Sequence, residues 1–495
     1  MQNRAIEILR QLHERGVGVG NLSTDSRSVT RGDVFLAYPG ETRDGREFVA
    51  GAVAAGAAAV LWERTGFAWN EGWGVPNLPV DGLRAMAGHL AHEVYGRPSE
   101  KLWVMGVTGT NGKTSCSQWL AQACGACGAR TAVIGTLGIG FPGALDPGLN
   151  TTPDAVLLQR SLRDLLAAGA QGVAMEVSSI GLDQGRVNGV AFGAALFTNL
   201  SRDHLDYHGD MESYARAKRQ LFLSPGLKHA VVNLDDVQGV SISRMLAGGG
   251  ATRTGYSCFE GVASRAGLDR YVEAHDIRLS PQGIAFTART SWGEARIESP
   301  MLARFNVSNL SGLLATMLVS GVPFGQAVAA LGALAPVPGR MERIGGGARP
   351  LVVVDYAHSP DALEKVLHAL RDVATAGGGR LWAVFGCGGE RDRGKRSLMG
   401  AVASRYADRI VITSDNPRGE DPLAIVAEIA AGVPGPSEIV ADRREAIALA
   451  VSQARVTDVV LLAGKGHETY QEVGGQRLAF SDAEEARSAL ERWEP

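Results

Sequence analysis

The chain has 495 residues, with 49 Lys+Arg against 52 Asp+Glu and a formal net charge of -3. At roughly 150 residues per domain this length predicts about three domains, and the near-balance of charge excludes a general nucleic-acid binder. Glycine is over-represented at 64 residues, but 45% hydrophobic content and the lack of a G-X-Y period exclude disorder and collagen, leaving glycine turns within a globular α/β chain.

The opening stretch, MQNRAIEILRQLHERG, reads as an amphipathic helix and lacks the apolar centre of a signal peptide. No run of 18 apolar residues occurs, so no transmembrane helix is predicted. The first hundred residues alternate: DVFLAY and AAVLWE read as strands, GREFVAGAVAAGA and DGLRAMAGHLAHEVYG as helices. YGRPSEK, near residue 98, breaks the pattern. Five cysteines, an odd number, argue against a disulfide framework. Cys124 and Cys127 form a single C-x-x-C inside an apparent helix and are expected to be packed small residues rather than zinc or redox ligands.

From residue 102, the strand LWVMGVTG runs into a glycine turn and then a helix. Glycines 106, 109 and 112 let backbone amides face an anion, and the helix N-terminus adds its partial positive charge. Lys113 would neutralise β/γ-phosphates and Thr114 would bind Mg2+. The text is G-x-x-G-x-x-G-K-T; Val107 breaks the strict spacing of the common phosphate loop, yet the strand–turn–helix context points to nucleotide phosphate binding.

Two more apolar strands end in polar groups. GVAMEVSS delivers Glu176, and AALFTNLSRDHLDYHGD offers Asp203, His204, Asp206, His208 and Asp210. A carboxylate at a strand end near a phosphate loop commonly holds Mg2+. Lys218 shares a helix face with Tyr214, Leu221 and Phe222, which predicts a side chain that snorkels to water. Residues 250–300 are strand-rich, and APVPGRMER marks a second break near 335.

The last third alternates most regularly. Strands at LVVVDYA, RLWAVFG, RIVITSD and DVVLLAG are separated by helical patterns, which implies a parallel sheet covered on both faces. The text after those strands supplies Asp355 and His358, then Arg391, then Asp415, Asn416 and Arg418, then Gly464, Lys465, His467 and Glu468. Parallel strands would bring these groups to one edge. A mixture of guanidinium forks and carboxylates there suits a zwitterion.

GTNGKT, NTTPD, MEVSS, SRDHLDYHGDMESYARAK, FNVSN, VPGRMER, DYAHSPDAL, GCGGERDRGKR, SDNPRGEDP and AGKGHETYQ together resemble the Mur ligase family, over about residues 24 to 471. The resemblance implies an α/β protein of three domains: a small N-terminal UDP-substrate domain over 1–98, a central P-loop-type ATP-binding domain with a mainly parallel sheet over 99–335, and a C-terminal doubly wound, Rossmann-like amino-acid domain over 336–495. It implies an ATP-dependent acid–amino-acid ligase of peptidoglycan synthesis. Such an enzyme adds meso-diaminopimelate to the D-glutamyl γ-carboxylate of UDP-N-acetylmuramoyl-L-alanyl-D-glutamate through an acyl phosphate.

Matched motif by motif, the resemblance assigns ATP contacts to Gly109, Thr110, Asn111, Gly112, Lys113, Thr114, Asn306, Asn309, Arg340 and His358. It assigns UDP-substrate contacts to Thr24, Ser26, Glu41, Thr42, Arg43, Asn150, Thr151, Thr152, Ser178, Gln184 and Arg186. Lys113, Glu176, His204 and Lys218 would be catalytic. Mg2+ would be held by Thr114, Glu176, His204 and Lys218, the last as the carbamylated lysine (N6-carboxylysine). Diaminopimelate contacts would come from Arg391, Asp415, Asn416, Pro417, Arg418, Gly464 and Glu468. DNPR at 415–418 resembles the signature of the diaminopimelate-adding members: Arg418 can fork the distal carboxylate that lysine lacks. Ile180 departs from the family, where many members carry His. A cytoplasmic monomer without nucleic-acid partner or membrane insertion is expected. Three alternatives remain at this point: the same ligase adding L-lysine, a folylpolyglutamate synthetase-like ligase, and a P-loop ATPase switch or binding module.

Overall fold

The computed structural model describes residues 1–41, 43–148, 150–280 and 282–494, so Thr42 lies outside the described residues. The chain forms two compact units: residues 1–273 with 312–327, and residues 274–311 with 328–495.

The first unit opens with a four-stranded parallel sheet in sequential order, β1 (Leu22–Ser23), β2 (Val34–Ala37), β3 (Ala59–Glu63) and β4 (Asn77–Val80). Strand periodicity sorts its side chains onto two faces. Val34, Leu36, Ala59 and Leu61 enter one core with the helices Gln2–Glu14 and Leu83–Val94; Phe35, Ala37, Val60 and Trp62 enter the other. DVFLAY and AAVLWE thus fold as the alternation predicts. The break at YGRPSEK carries one helical turn, Pro98–Lys101, anchored where Ser99 Oγ accepts from the Ala191 amide at 3.0 Å.

The larger sheet of this unit contains β5 (Trp103–Thr108), β6 (Thr131–Gly135), β7 (Gly138–Phe141), β8 (Ala144–Asp146), β9 (Gly172–Glu176), β10 (Ala194–Phe197), β11 (His229–Asn233) and β12 (Thr252–Ser257). Its order is β12-β11-β10-β5-β9-β6-β7-β8. Strands β12 through β6 pair in parallel, while β7 and β8 extend the edge antiparallel. After β5 the chain passes over β9 to β6, returns to β9, and then crosses to β10 on the other side. Strand order therefore reverses at β5, where an open α/β sheet leaves a crevice at its carboxyl edge. The first residues of β13 (Arg270–Ser280) pair parallel with β12.

The second unit holds an antiparallel hairpin, β14 (Gly283–Thr290) with β15 (Gly293–Ser299), and a six-stranded sheet. The sheet comprises β16 (Glu342–Gly345), β17 (Leu351–Asp355), β18 (Leu381–Phe385), β19 (Arg409–Ile412), β20 (Glu438–Ile439) and β21 (Val459–Ala463). Its order is β16-β17-β21-β18-β19-β20, parallel except for β16. Continuous apolar strands suit a sheet buried on both faces. Leu351, Val353, Leu381, Ala383, Phe385 and Leu461 face one core, and Val352, Val354, Trp382, Val384 and Leu462 face the other. A final hairpin, β22 (Tyr470–Val473) with β23 (Gln476–Ala479), follows the β21 loop.

One buried ion pair ties this sheet's carboxyl edge. Arg443, which begins the helix Arg443–Gln453, and Asp482, which begins Asp482–Glu491, are both almost wholly buried. Arg443 Nε and Nη2 each donate to a carboxylate oxygen of Asp482 at 2.7 Å. The same guanidinium donates to the carbonyls of Ser414 (3.3 Å) and Ala463 (3.0 Å), just beyond β19 and at the end of β21. Removing one partner leaves an uncompensated buried charge, which costs about 3–5 kcal/mol, whereas an apolar pair of like volume is often neutral. Asp482→Leu should therefore destabilise this sheet by about that amount, read by hydrogen exchange of Val459–Ala463 in rising urea. The double variant Arg443→Met/Asp482→Leu should recover most of the loss.

Candidate functional site

The phosphate loop follows β5. Gly109 has φ +152° and Gly112 φ +86°, conformations that L side chains rarely adopt. A Cβ at 109 would also collide with Thr198 Oγ1, which donates to the Asn111 carbonyl at 2.6 Å. The Thr110 amide donates to the Asn199 carbonyl at 2.8 Å, so the turn is laced to the end of β10. Lys113 begins the helix Lys113–Ala126 and bends back, its Nζ donating to the carbonyls of Gly109 (2.8 Å) and Thr110 (2.9 Å).

Glu176 closes β9, beside β5, and is buried. Thr114 Oγ1 donates to its Oε2 at 2.9 Å, and the Thr136 amide donates to its Oε1 at 2.8 Å. A Cβ at Gly135, the last residue of β6, would strike this carboxylate, so the glycine there is a spatial requirement. A threonine hydroxyl beside one buried carboxylate fits Mg2+, which takes few protein oxygens and keeps waters and phosphates for the rest. His204 is placed differently. Its backbone is left-handed (φ +52°), its imidazole is half-exposed, and it lies 3.6 Å from Asp203. Among the described residues no group of three or more His, Cys, Asp or Glu side chains is arranged to hold a metal ion.

Lys218 corrects the expectation of a snorkelling side chain. It sits on the helix Met211–Arg219 and is 2% exposed. Its Nζ donates to the Gly109 carbonyl at 2.9 Å and lies 4.4 Å from the centre of the Tyr214 ring. Burial, reinforced by Lys113, pushes its pKa well below the ordinary lysine value. The helix reaches too deep for a four-carbon stem to find water, which the local sequence pattern cannot reveal.

Beside this loop Thr152, Ser178, Gln184 and Arg186 form a hydrogen-bonded polar network next to Thr151. Thr152 Oγ1 donates to the Glu176 carbonyl at 3.0 Å, and Thr136 and Thr151 hydroxyls lie 3.0 Å apart. Arg186 spends its fork on neutral oxygens: Nη1 on the Thr152 carbonyl at 2.7 Å, Nε and Nη2 on Gln184 Oε1 at 2.9 and 2.7 Å. Half-buried without a carboxylate in hydrogen-bond reach among the described residues, it is suited to an anion. Thr24 Oγ1 donates to Asp154 Oδ1 at 3.4 Å, and Arg84 pairs with Glu41 at 2.8 Å. Ser26 starts the short turn Ser26–Ser28, while Arg43 and Asn150 are exposed.

In the second unit the four strand ends converge as their parallel order requires. Asn416 and Asp415 are buried after β19, and Arg418 stands in the left-handed region (φ +54°). The Arg418 amide donates to the Glu472 carbonyl at 2.9 Å, and its Nη1 to the Gly389 carbonyl at 2.7 Å. A Cβ at Gly389 would collide with the Pro417 carbonyl, and one at Gly464 with Asp415. Arg391 is exposed on the loop after β18. Sequence reasoning missed the buried Arg396, which pairs with Glu420 (3.0 Å) and Glu428 (2.9 Å) below that loop. Arg391, Arg393 and Lys395 stand beside it, so nothing local singles it out from the other cations of that run.

A second cluster in this unit joins Arg340, Tyr356, His358 and His467. The Arg340 guanidinium lies 4.8 Å from the Tyr356 ring centre, and His358 Nδ1 donates to the Tyr356 carbonyl at 2.8 Å. Burial, with Arg340 nearby, pushes the His467 imidazole down to about 4, so it is neutral at physiological pH. Asn306 and Asn309 are buried on the helix Arg304–Val319, with Asn309 Nδ2 donating to Asn306 Oδ1 at 2.9 Å.

Residues 19–95 match the description "Mur ligase family, catalytic domain", 107–317 "Mur ligase middle domain", and 339–466 "Mur ligase, glutamate ligase domain". UDP-N-acetylmuramoyl-L-alanyl-D-glutamate--2,6-diaminopimelate ligase of Janthinobacterium sp. (strain Marseille) is 49% identical over 483 residues, covering 95% of this chain and 94% of that protein. The chain belongs to the Mur ligase family.

Other family members agree. The ligases of the same name from Ralstonia nicotianae and Pseudomonas aeruginosa are 51% and 50% identical, over 95% and 97% of this chain and 93% and 97% of theirs. A solved structure of a ligase of that name superposes with TM-score 0.71 at 38% identity, covering 96% of this chain and 95% of that one. The Mur ligase MurF from Thermotoga maritima, solved in complex with ADP, shares the fold at TM-score 0.59 and 19% identity, over 90% of this chain and 94% of its own. Within this family fold, Gly109→Ala should disrupt the loop that Thr198, Lys113 and Lys218 brace. Titration calorimetry should show nucleotide affinity reduced at least about tenfold, equivalent to about 1.4 kcal/mol; wild-type affinity would show that the loop tolerates a side chain there.

Proposed function

We propose that the chain joins meso-diaminopimelate to the D-glutamyl γ-carboxylate of UDP-N-acetylmuramoyl-L-alanyl-D-glutamate, using ATP, in peptidoglycan synthesis. The observation that carries this is near-full-length identity of about half to ligases of that name. The strand-end cluster around Arg418 supports the choice of amino acid: its guanidinium, with Nη1 on the Gly389 carbonyl at 2.7 Å and Nε 3.3 Å from Glu472, is a fork that a distal carboxylate can engage.

The γ-carboxylate oxygen attacks the γ-phosphorus of ATP, and the bond to ADP breaks. The amine of diaminopimelate then attacks the acyl phosphate carbonyl, and the tetrahedral adduct collapses to amide with loss of phosphate and a proton. The chain's contribution is positioning and charge. Loop amides and Lys113 receive the phosphates, and Arg186, with Thr151, Thr152, Asn150, Ser178 and Gln184, faces the muramoyl-peptide. Thr24, Ser26, Glu41 and Arg43, with Thr42, are assigned to its uridine side. Asn306, Asn309, Arg340 and His358 are assigned to the nucleotide. Arg391, Asp415, Asn416, Pro417, Arg418, Gly464 and Glu468 are assigned to diaminopimelate.

Thr114 and Glu176 would hold Mg2+, with His204 and a carbamylated Lys218 as further ligands. When bound, the ion neutralises charge on the transferring phosphoryl group. Lys218 supports carbamylation because it is buried beside a second cation, where an ammonium is disfavoured and an uncharged amine can add CO2. These roles divide the chain into a UDP-substrate domain (1–98), an ATP domain (99–335) and an amino-acid domain (336–495), acting as a cytoplasmic monomer. Among the described residues no helix is long and apolar enough to cross a membrane.

Arg418→Ala should raise the KM for meso-diaminopimelate at least about tenfold, in line with loss of a charged hydrogen bond, and leave the KM for ATP within a factor of about two; equal effects would contradict the assignment. Lys218→Ala should be nearly inactive and partly restored by added formate or acetate, whereas full activity without them would disprove the carbamate. Phosphate release should stop on chelation of divalent metal.

A further inference from the structure

Lys465 follows β21 and its side chain is wholly buried. A buried ammonium needs partners, and this one has two: Nζ donates to Asn416 Oδ1 at 2.9 Å and to Glu468 Oε2 at 2.9 Å. Asn416 completes the triangle, with Nδ2 donating to the same Glu468 Oε2 at 2.8 Å. Asn416 Oδ1 also accepts from the Glu472 amide at 3.0 Å. The amide of Asn416 is thereby held in one orientation, with its oxygen facing two donors and its nitrogen facing the carboxylate.

The consequence falls on Glu468. One carboxylate oxygen is committed to two donors, while Oε1 has no partner among the described residues; the side chain is 20% exposed. Without Lys465, the carboxylate would be free to rotate and the corner would carry an uncompensated negative charge. We propose that Lys465 is a positioning and specificity-determining residue: it locks Glu468 with one free oxygen aimed at the distal ammonium of the incoming amino acid, and it holds the corner near neutrality. A near-neutral corner favours an amino acid whose distal end is itself a zwitterion over one ending in a lone ammonium. This rests on the ligase reading above, and it adds a residue that touches no substrate and acts through Asn416 and Glu468.

The test uses the full-length protein and two variants. Lys465→Met removes both charge and hydrogen bonds; Lys465→Gln removes the charge and keeps a donor, so it preserves a test if the first variant fails to fold. Steady-state phosphate release is measured while varying meso-diaminopimelate, L-lysine, ATP and the UDP-dipeptide in turn. Lys465→Met should raise the KM for diaminopimelate about 10- to 100-fold, the loss of one charged hydrogen bond, and leave the KM values for ATP and the UDP-dipeptide within about twofold. The preference for diaminopimelate over lysine should fall at least about tenfold in both variants. A purely structural residue would lower the active fraction and kcat with every KM unchanged, and that result overturns the proposal. So does a KM rise shared by all three substrates, or an unchanged preference in folded Lys465→Gln. A wild-type protein without diaminopimelate-dependent phosphate release would instead overturn the ligase reading, separately from the role of Lys465.

Discussion

A single carbonyl carries much of the first unit. Gly109 O accepts from both Lys113 and Lys218, two lysine Nζ groups from different helices converging on one oxygen. That convergence is possible because residue 109 lacks a side chain and can take φ +152° against Thr198. Burial, with Lys113 alongside, pushes the Lys218 pKa well below the ordinary lysine value. Glycine loop, Glu176 and the Lys218 helix are therefore gathered at the carboxyl end of β5. The switch in strand order at β5 brings the three segments there from both sides.

The second unit solves a related problem with opposite materials. Parallel strands leave carbonyl and amide groups unpaired where they end, and here those ends lie beside buried acids. Arg443 takes the carbonyls of Ser414 and Ala463 while Asp482 balances its charge. Lys465 and Asn416 fix Glu468, and Arg396 fixes the Glu420 loop. Buried ion pairs of this kind add little net stability over apolar packing. What they provide is a defined orientation for the carboxylates and guanidinium at this edge of the sheet.

Much of this was legible in the sequence. The strands of the last sheet are unbroken apolar runs because both faces are covered, and their polar continuations had to meet once the strands were parallel. The strand–turn–helix around Gly–Lys–Thr was likewise readable. Lys218 was not legible, because a helical face carrying Tyr214, Leu221 and Phe222 looks the same whether its lysine reaches water or not. Arg443 and Asp482 lie 39 residues apart in ordinary amphipathic helices, and nothing local marks them as partners. Likewise the hairpin of β7 and β8 is too short and too glycine-rich to show a strand period.

What the sequence determined by itself is the alternation of strand and helix, the glycine turn after β5, and the residue types available at each strand end, since these follow from local periodicity and backbone freedom. What only the tertiary structure decided is which charges are paired and which oxygens stay free. Glu468 becomes a carboxylate with one open oxygen, Arg186 a guanidinium resting on neutral acceptors, and Lys218 an amine stripped of water. Those states depend on burial and on partners distant along the chain, and the energy of a charge is set by its surroundings rather than by its neighbours in sequence.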